Sequence, residues 1–142
     1  MKRLFIDSSV LFSAAYSSRG NARNIILMAA RKELTAVISK LVINETRRNM
    51  IEKAPEKIHF LEAIIDNIPF EITRPTKREV FAAAKYAEFK DAPIIAAAKK
   101  TKVDFLVTLD KKHLLGRPEL AKYISAEIVT PKEAYRLLES NN

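Results

Sequence analysis

Short β-like runs and helix-period runs take turns along most of this chain, and that alternation limits its fold more than any other feature. Leu4–Ile6, "TAVIS" (35–39), "PFEIT" (69–73), "DFLVT" (104–108) and "AEIVT" (126–130) read as strands. Val10–Ala15 follows the first strand, and "SSRGNAR" (17–23) reads as a turn or helix entry. Helical spacing runs through 24–34, 41–54, 56–68, 77–89, 91–102 and 131–140. Ser39, Thr76 and Asp91 are candidate N-caps, Pro55 interrupts, and Pro93 and Pro131 fit first turns. Strands separated by helices favour a parallel sheet covered on both faces. The expected fold is therefore a three-layer α/β/α arrangement with a central, mainly parallel sheet. The 41–68 region is purely helical. No linker, repeat or low-complexity tract divides the chain, so residues 1–142 are expected to form one domain.

A hydrophobic content of 48% supports a substantial core, and the absence of cysteine excludes disulfides and thiolate chemistry. No apolar stretch approaches the roughly 20 residues needed to span a bilayer. No secretory leader pattern opens the chain. A cytoplasmic protein without membrane attachment is the expectation. The net charge of +8 points to a polyanionic partner, with nucleic acid first among them. Solubility alone is the plainer explanation of the same charge.

Carboxylates stand at the ends of two of the strands. Asp7 follows Leu4–Ile6, and Asp110 follows "FLVT". Glu45 lies in the first turns of the helix after "TAVIS", and Asp91 opens the helix before the "DFLVT" strand. In a parallel open sheet all four belong to the carboxyl side, where ligands gather. Clustered carboxylates repel one another, and a divalent cation removes that cost. All-oxygen ligation suits Mg²⁺ or Mn²⁺. One or two such ions polarise a phosphodiester and acidify a bound water. Each acid also has a structural reading. Asp7 can bond the amides of Ser9 or Val10, Asp91 and Asp110 can cap helical segments, and Glu45 can pair with Arg48 or Asn49.

"FIDSSVLFSA" (5–14), "VINETRRNM" (42–50) and "KDAPIIAAAKKTKVDFLVTLDKKHLL" (90–115) resemble the motifs of the PIN-domain family of metal-dependent ribonucleases, across nearly the whole chain. The resemblance implies that Asp7, Glu45, Asp91 and Asp110 hold one or two Mg²⁺ or Mn²⁺ ions. It implies endonucleolytic hydrolysis of RNA with a 3′-oxygen leaving group. A toxin with a protein antitoxin, an RNA-processing nuclease and a homodimer are all compatible with it. The family often has Thr-Asn or Ser-Asn after the first aspartate, where this chain has Ser8-Ser9.

Thr108 lies one strand period before Asp110, and it and Ser9 are candidate orienters of the acids. Arg47, Arg48, Lys90, Lys111 and Lys112 flank the acids and are candidate phosphate contacts. Asp104 precedes its strand and is assigned to a turn. His113 and His59 are given no catalytic part. The aromatic residues fall mostly within apolar patterns, so no stacking platform is expected. The alternatives are a non-catalytic nucleic-acid-binding PIN-like domain, a phosphotransfer receiver and a metal-dependent phosphatase.

Overall fold

The computed structural model describes residues 1–140. Its elements run β1 (Arg3–Ile6), α1 (Ser8–Tyr16), α2 (Asn21–Ala30), β2 (Thr35–Ser39) and α3 (Lys40–Lys53). A 3₁₀ turn (Pro55–Lys57), α4 (Ile58–Asn67), β3 (Glu71–Thr73), α5 (Lys77–Ala83) and α6 (Ala92–Lys100) follow. The chain closes with β4 (Phe105–Val107), α7 (Pro118–Ile124), β5 (Glu127–Val129) and α8 (Pro131–Ser140).

The strands form one all-parallel sheet in the order β3-β2-β1-β4-β5. Leu4, Phe5, Ile6, Val37, Ile38, Leu106 and Val107 are completely buried, as strands covered on both faces require. The helices separate into two layers. One holds α1, with α2, α3 and α4 packed on it and α8 packed on α2; the other holds α5, α6 and α7. The chain winds outward from β1 to β3, crosses back to β4 and continues to β5. Strand order therefore reverses between β1 and β4, where Ile6 pairs with Val107. A crevice opens at such a reversal, beyond the carboxyl ends of the two strands.

Helix boundaries follow local chemistry. Ser39 caps α3 by accepting the Val42 amide at 3.1 Å. Thr76 and Glu79 form a reciprocal capping box on α5. The helix read over 24–34 starts at Asn21 and stops at Ala30 instead. Lys32 takes the left-handed conformation, and the Glu33 amide reaches the Met28 carbonyl at 2.9 Å, closing a Schellman motif. The helix read over 77–89 stops at Ala83 and tightens into turns. Phe81 and Phe89, aromatics within that apolar pattern, are consequently 64% and 74% exposed. The short helix α7 has no counterpart in the sequence reading. Pro118 in its first turn and buried Leu120 and Ile124, four residues apart, are the signals that mark it.

Candidate metal centre

β1 delivers Asp7 to the crevice, and Asp7 also serves as the N-cap of α1. Its Oδ1 accepts the Ser8 amide at 2.8 Å, rather than the Ser9 or Val10 amides. Its Oδ2 accepts the Thr108 hydroxyl at 2.7 Å and the Ser9 hydroxyl at 3.3 Å. Both hydroxyls are themselves acceptors. Thr108 Oγ1 takes the Asp110 amide at 3.0 Å, and Ser9 Oγ takes the Leu109 amide at 3.1 Å. Two side-chain bridges thus tie the end of β1 to the end of β4. Ser9, which stands where the family often has asparagine, supplies one of the two.

Asp110 turns one oxygen inward to its own loop. Oδ1 accepts the Lys112 and His113 amides at 3.1 and 3.0 Å, which fulfils the capping reading. Oδ2 stays in the crevice, 3.3 Å from His113 Nδ1. Asp91, by contrast, does not cap α6. Its backbone lies at φ −95 and ψ −13, in the helical region rather than the extended one that caps require, and its side chain makes no cap bond. Its Oδ2 is buried and has no hydrogen-bond partner, alone among the described residues in this respect. Buried polar atoms without partners are uncommon in folded proteins and call for an explanation.

Asp91, Asp110 and His113 each offer a ligand atom, and those atoms lie within 4.8 Å of one another. The sequence reading gives His113 no part, yet it is half-buried and belongs to this group. Its three-residue spacing from Asp110 is the available signal. Glu45 lies outside the group, in the second turn of α3, yet within electrostatic range of Asp7 and Asp91.

The electrostatics of the acids fit a cation. Burial holds the Asp7 carboxyl above the usual range, against the hydrogen bonds from Thr108, Ser8 and Ser9, and Asp110 adds repulsion. Burial likewise raises Glu45, with repulsion from Asp7 and Asp91. Burial raises Asp91 too; Lys90 opposes the shift, and Asp110 and Asp7 reinforce it. Desolvating a carboxylate costs several kcal/mol unless an opposite charge offsets it. A divalent cation against Asp91 Oδ2 supplies both the partner and the charge, so the donor set fits such an ion.

The basic candidates divide. Arg48, Lys90, Lys111 and Lys112 are exposed. Arg47 is instead engaged by Glu62 of α4 through two bonds of 2.8 and 2.7 Å. Two residues along a helix are about 200° apart, so Arg47 leaves the face that carries Glu45.

The PIN-domain family model matches residues 3–112. The chain belongs to the PIN-domain family. Solved structures share the PIN fold at low identity. PAE2754 from Pyrobaculum aerophilum is 20% identical with a TM-score of 0.68, covering 98% of this chain and 96% of that one. VapBC2 from Rickettsia felis, bound to a DNA fragment from its promoter, is 14% identical at 0.63, covering 90% and 98%. VapC20 from Mycobacterium tuberculosis, a sarcin-ricin loop cleaving toxin, is 15% identical at 0.56, covering 77% and 91%. No curated protein matches the chain. PIN domains are generally nucleases and typically use divalent metals. No helix among the described residues is long and apolar enough to cross a membrane.

Proposed function

We propose that residues 1–142 act as one PIN nuclease domain that cuts RNA endonucleolytically with Mg²⁺ or Mn²⁺. The observation that carries this reading is the buried, partnerless Asp91 Oδ2 beside Asp110 and His113. Asp7, Asp91 and Asp110 are the residues that would hold the ion, with Glu45 at the periphery. A bound divalent ion supplies Lewis-acid polarisation of the phosphoryl group.

The chain's own residues do the remaining work. Thr108 and Ser9 fix Asp7 by donating to one of its oxygens, and their bridges to the Asp110 and Leu109 amides fix its distance from β4. His113 and its own amide fix Asp110. Exposed Arg48, Lys90, Lys111 and Lys112 draw the polyanion to an otherwise acidic crevice. The toxins among the structural neighbours support a narrower reading, a toxin restrained by a protein antitoxin.

Labelled RNAs of varied sequence, incubated with Mg²⁺, Mn²⁺ or EDTA, test the activity. Internal cleavage is expected with either metal and none in EDTA, with a loss of about 100-fold or more in Asp91→Asn, the order of magnitude set by removing one electrostatic stabiliser from a catalytic site. Cleavage by Asp91→Asn at the wild-type rate would overturn the assignment. Hydrolysis of mononucleotides with RNA left intact would favour a phosphatase.

A further inference from the structure

A concavity of about 290 Å³ opens at the carboxyl end of the sheet, to the β3 side of the acidic centre. Its walls come from the start of α3, the segment leaving β3, Val80 of α5 and the first turn of α6. Ser39 and Thr73 on its wall are the last residues of β2 and β3, and β2 pairs with β1, whose carboxyl end delivers Asp7.

The chemistry of this pocket differs from that of the acids beside it. Lys40 and Arg74 line it, both exposed, and neither forms an ion pair among the described residues. No acidic side chain lines it. Pro75 and Pro93 contribute flat apolar ring surfaces, and Asn44 offers an amide that both donates and accepts. Cations for a phosphate, apolar surface for a planar ring and an amide for a polar edge together match a nucleotide. The volume lies just under the roughly 300–1,000 Å³ typical of small-molecule sites, which favours one nucleotide over several.

The basic wall is held in place before any ligand arrives. Lys100 Nζ donates to the Arg74 carbonyl and to Glu79 Oε1, both at 3.2 Å. Glu79 in turn accepts the Thr76 amide at 2.7 Å. The segment carrying Arg74 is thereby anchored to both α5 and α6.

We propose that this pocket binds one unpaired nucleotide of the RNA next to the scissile phosphate, with Lys40 and Arg74 on its phosphate and Asn44 on its base edge. The inference rests on the ribonuclease reading and sharpens it to single-stranded RNA, because a base held in a duplex cannot enter.

Amide NMR spectra of the full chain in EDTA, titrated with the four nucleoside 5′-monophosphates and separately with inorganic phosphate, test it. Saturable shifts are expected at Leu41–Glu45 and at Thr73 and Arg74. Arg74→Ala and Lys40→Ala should each weaken the nucleotide by about tenfold, the effect of one charge-assisted hydrogen bond. Lys2→Ala, at the opposite end of the sheet, should change nothing. Absent shifts, shifts on another face, or phosphate binding as tightly as the nucleotides would overturn the proposal. Nucleotide binding here in a protein that cuts no RNA would keep the pocket and remove the nuclease reading. Asp91-dependent cleavage whose KM ignores Arg74→Ala, without the expected shifts, would remove the pocket alone.

Discussion

Thr108 is completely buried and performs two tasks with one hydroxyl: it donates to Asp7 and accepts from the Asp110 amide. Valine has nearly the same shape but neither capacity. Thr108→Val should therefore destabilise the fold by about 1–3 kcal/mol, the cost of stranding buried polar groups. Thr108→Ser should restore most of that stability. Urea unfolding of the three proteins measures it, and equal stability of the valine variant would contradict the bridge. Asp91 gives a prediction of opposite sign. Burial raises its pKa in the folded protein above the ordinary 3.8, so the metal-free fold binds that proton more tightly than the unfolded chain. The resulting stability is present below the ordinary value and is lost as pH rises through the raised one. Without metal, Asp91→Asn should match wild type near pH 4 and exceed it at pH 7.5, by a few degrees in Tm. Calorimetry in EDTA at both pH values checks this, and a gap that shrinks with pH would refute it. Asp7 and Asp110 are legible in the sequence because each ends an apolar strand run. That Asp91 forgoes its cap is not, since that depends on a backbone angle and on burial supplied by distant residues.

At the scale of elements, the strands are legible because both-sided burial writes continuous apolar runs into β1, β2 and β4. The ends of helices are less so. With only two glycines in the chain, left-handed positions fall to Lys32, Lys102 and Ser125, none of which resembles a usual stop signal. Lys32 is exposed, so its side chain contributes little there. Relieving the left-handed strain by Lys32→Gly should stabilise the protein by about 0.5–1 kcal/mol net of the extra freedom glycine gives the unfolded chain. A Tm that falls would show that the lysine side chain has a role the geometry does not reveal. The helix α7, seven residues long, offers too few turns for periodicity to register. The sequence overstates α5 because alanines continue its pattern beyond the point where the chain tightens into turns.

For the whole molecule, the order of strands decides where chemistry can occur. Alternation predicts a parallel sheet, but only the reversal between β1 and β4 explains why residues 7 and 110 meet. The chain carries a net charge of +8, and exposed Arg48, Lys90, Lys111 and Lys112 flank the acids in sequence, so on the proposed reading attraction and chemistry fall to different residues. Binding of single-stranded RNA should weaken steeply with salt. Replacing Lys90, Lys111 and Lys112 together by alanine should reduce the slope of log K against log salt by about 2, because each phosphate neutralised on a single strand adds about 0.7 to it. Fluorescence anisotropy over a salt series measures this, and an unchanged slope would remove these lysines from the RNA path.

The Thr108–Asp7 bridge joins positions 101 residues apart. During synthesis, β1 leaves the ribosome long before its partner exists, so Asp7 spends most of translation without Thr108 or the Asp110 loop. A pairing of such sequence separation closes a long loop and is slow to form. The centre therefore cannot be complete until Asp110 has been made and β4 has docked on β1. A nascent or truncated chain ending before Thr108 would hold the first acid only through its neighbours Ser8 and Ser9, with no bridge to fix it against β4.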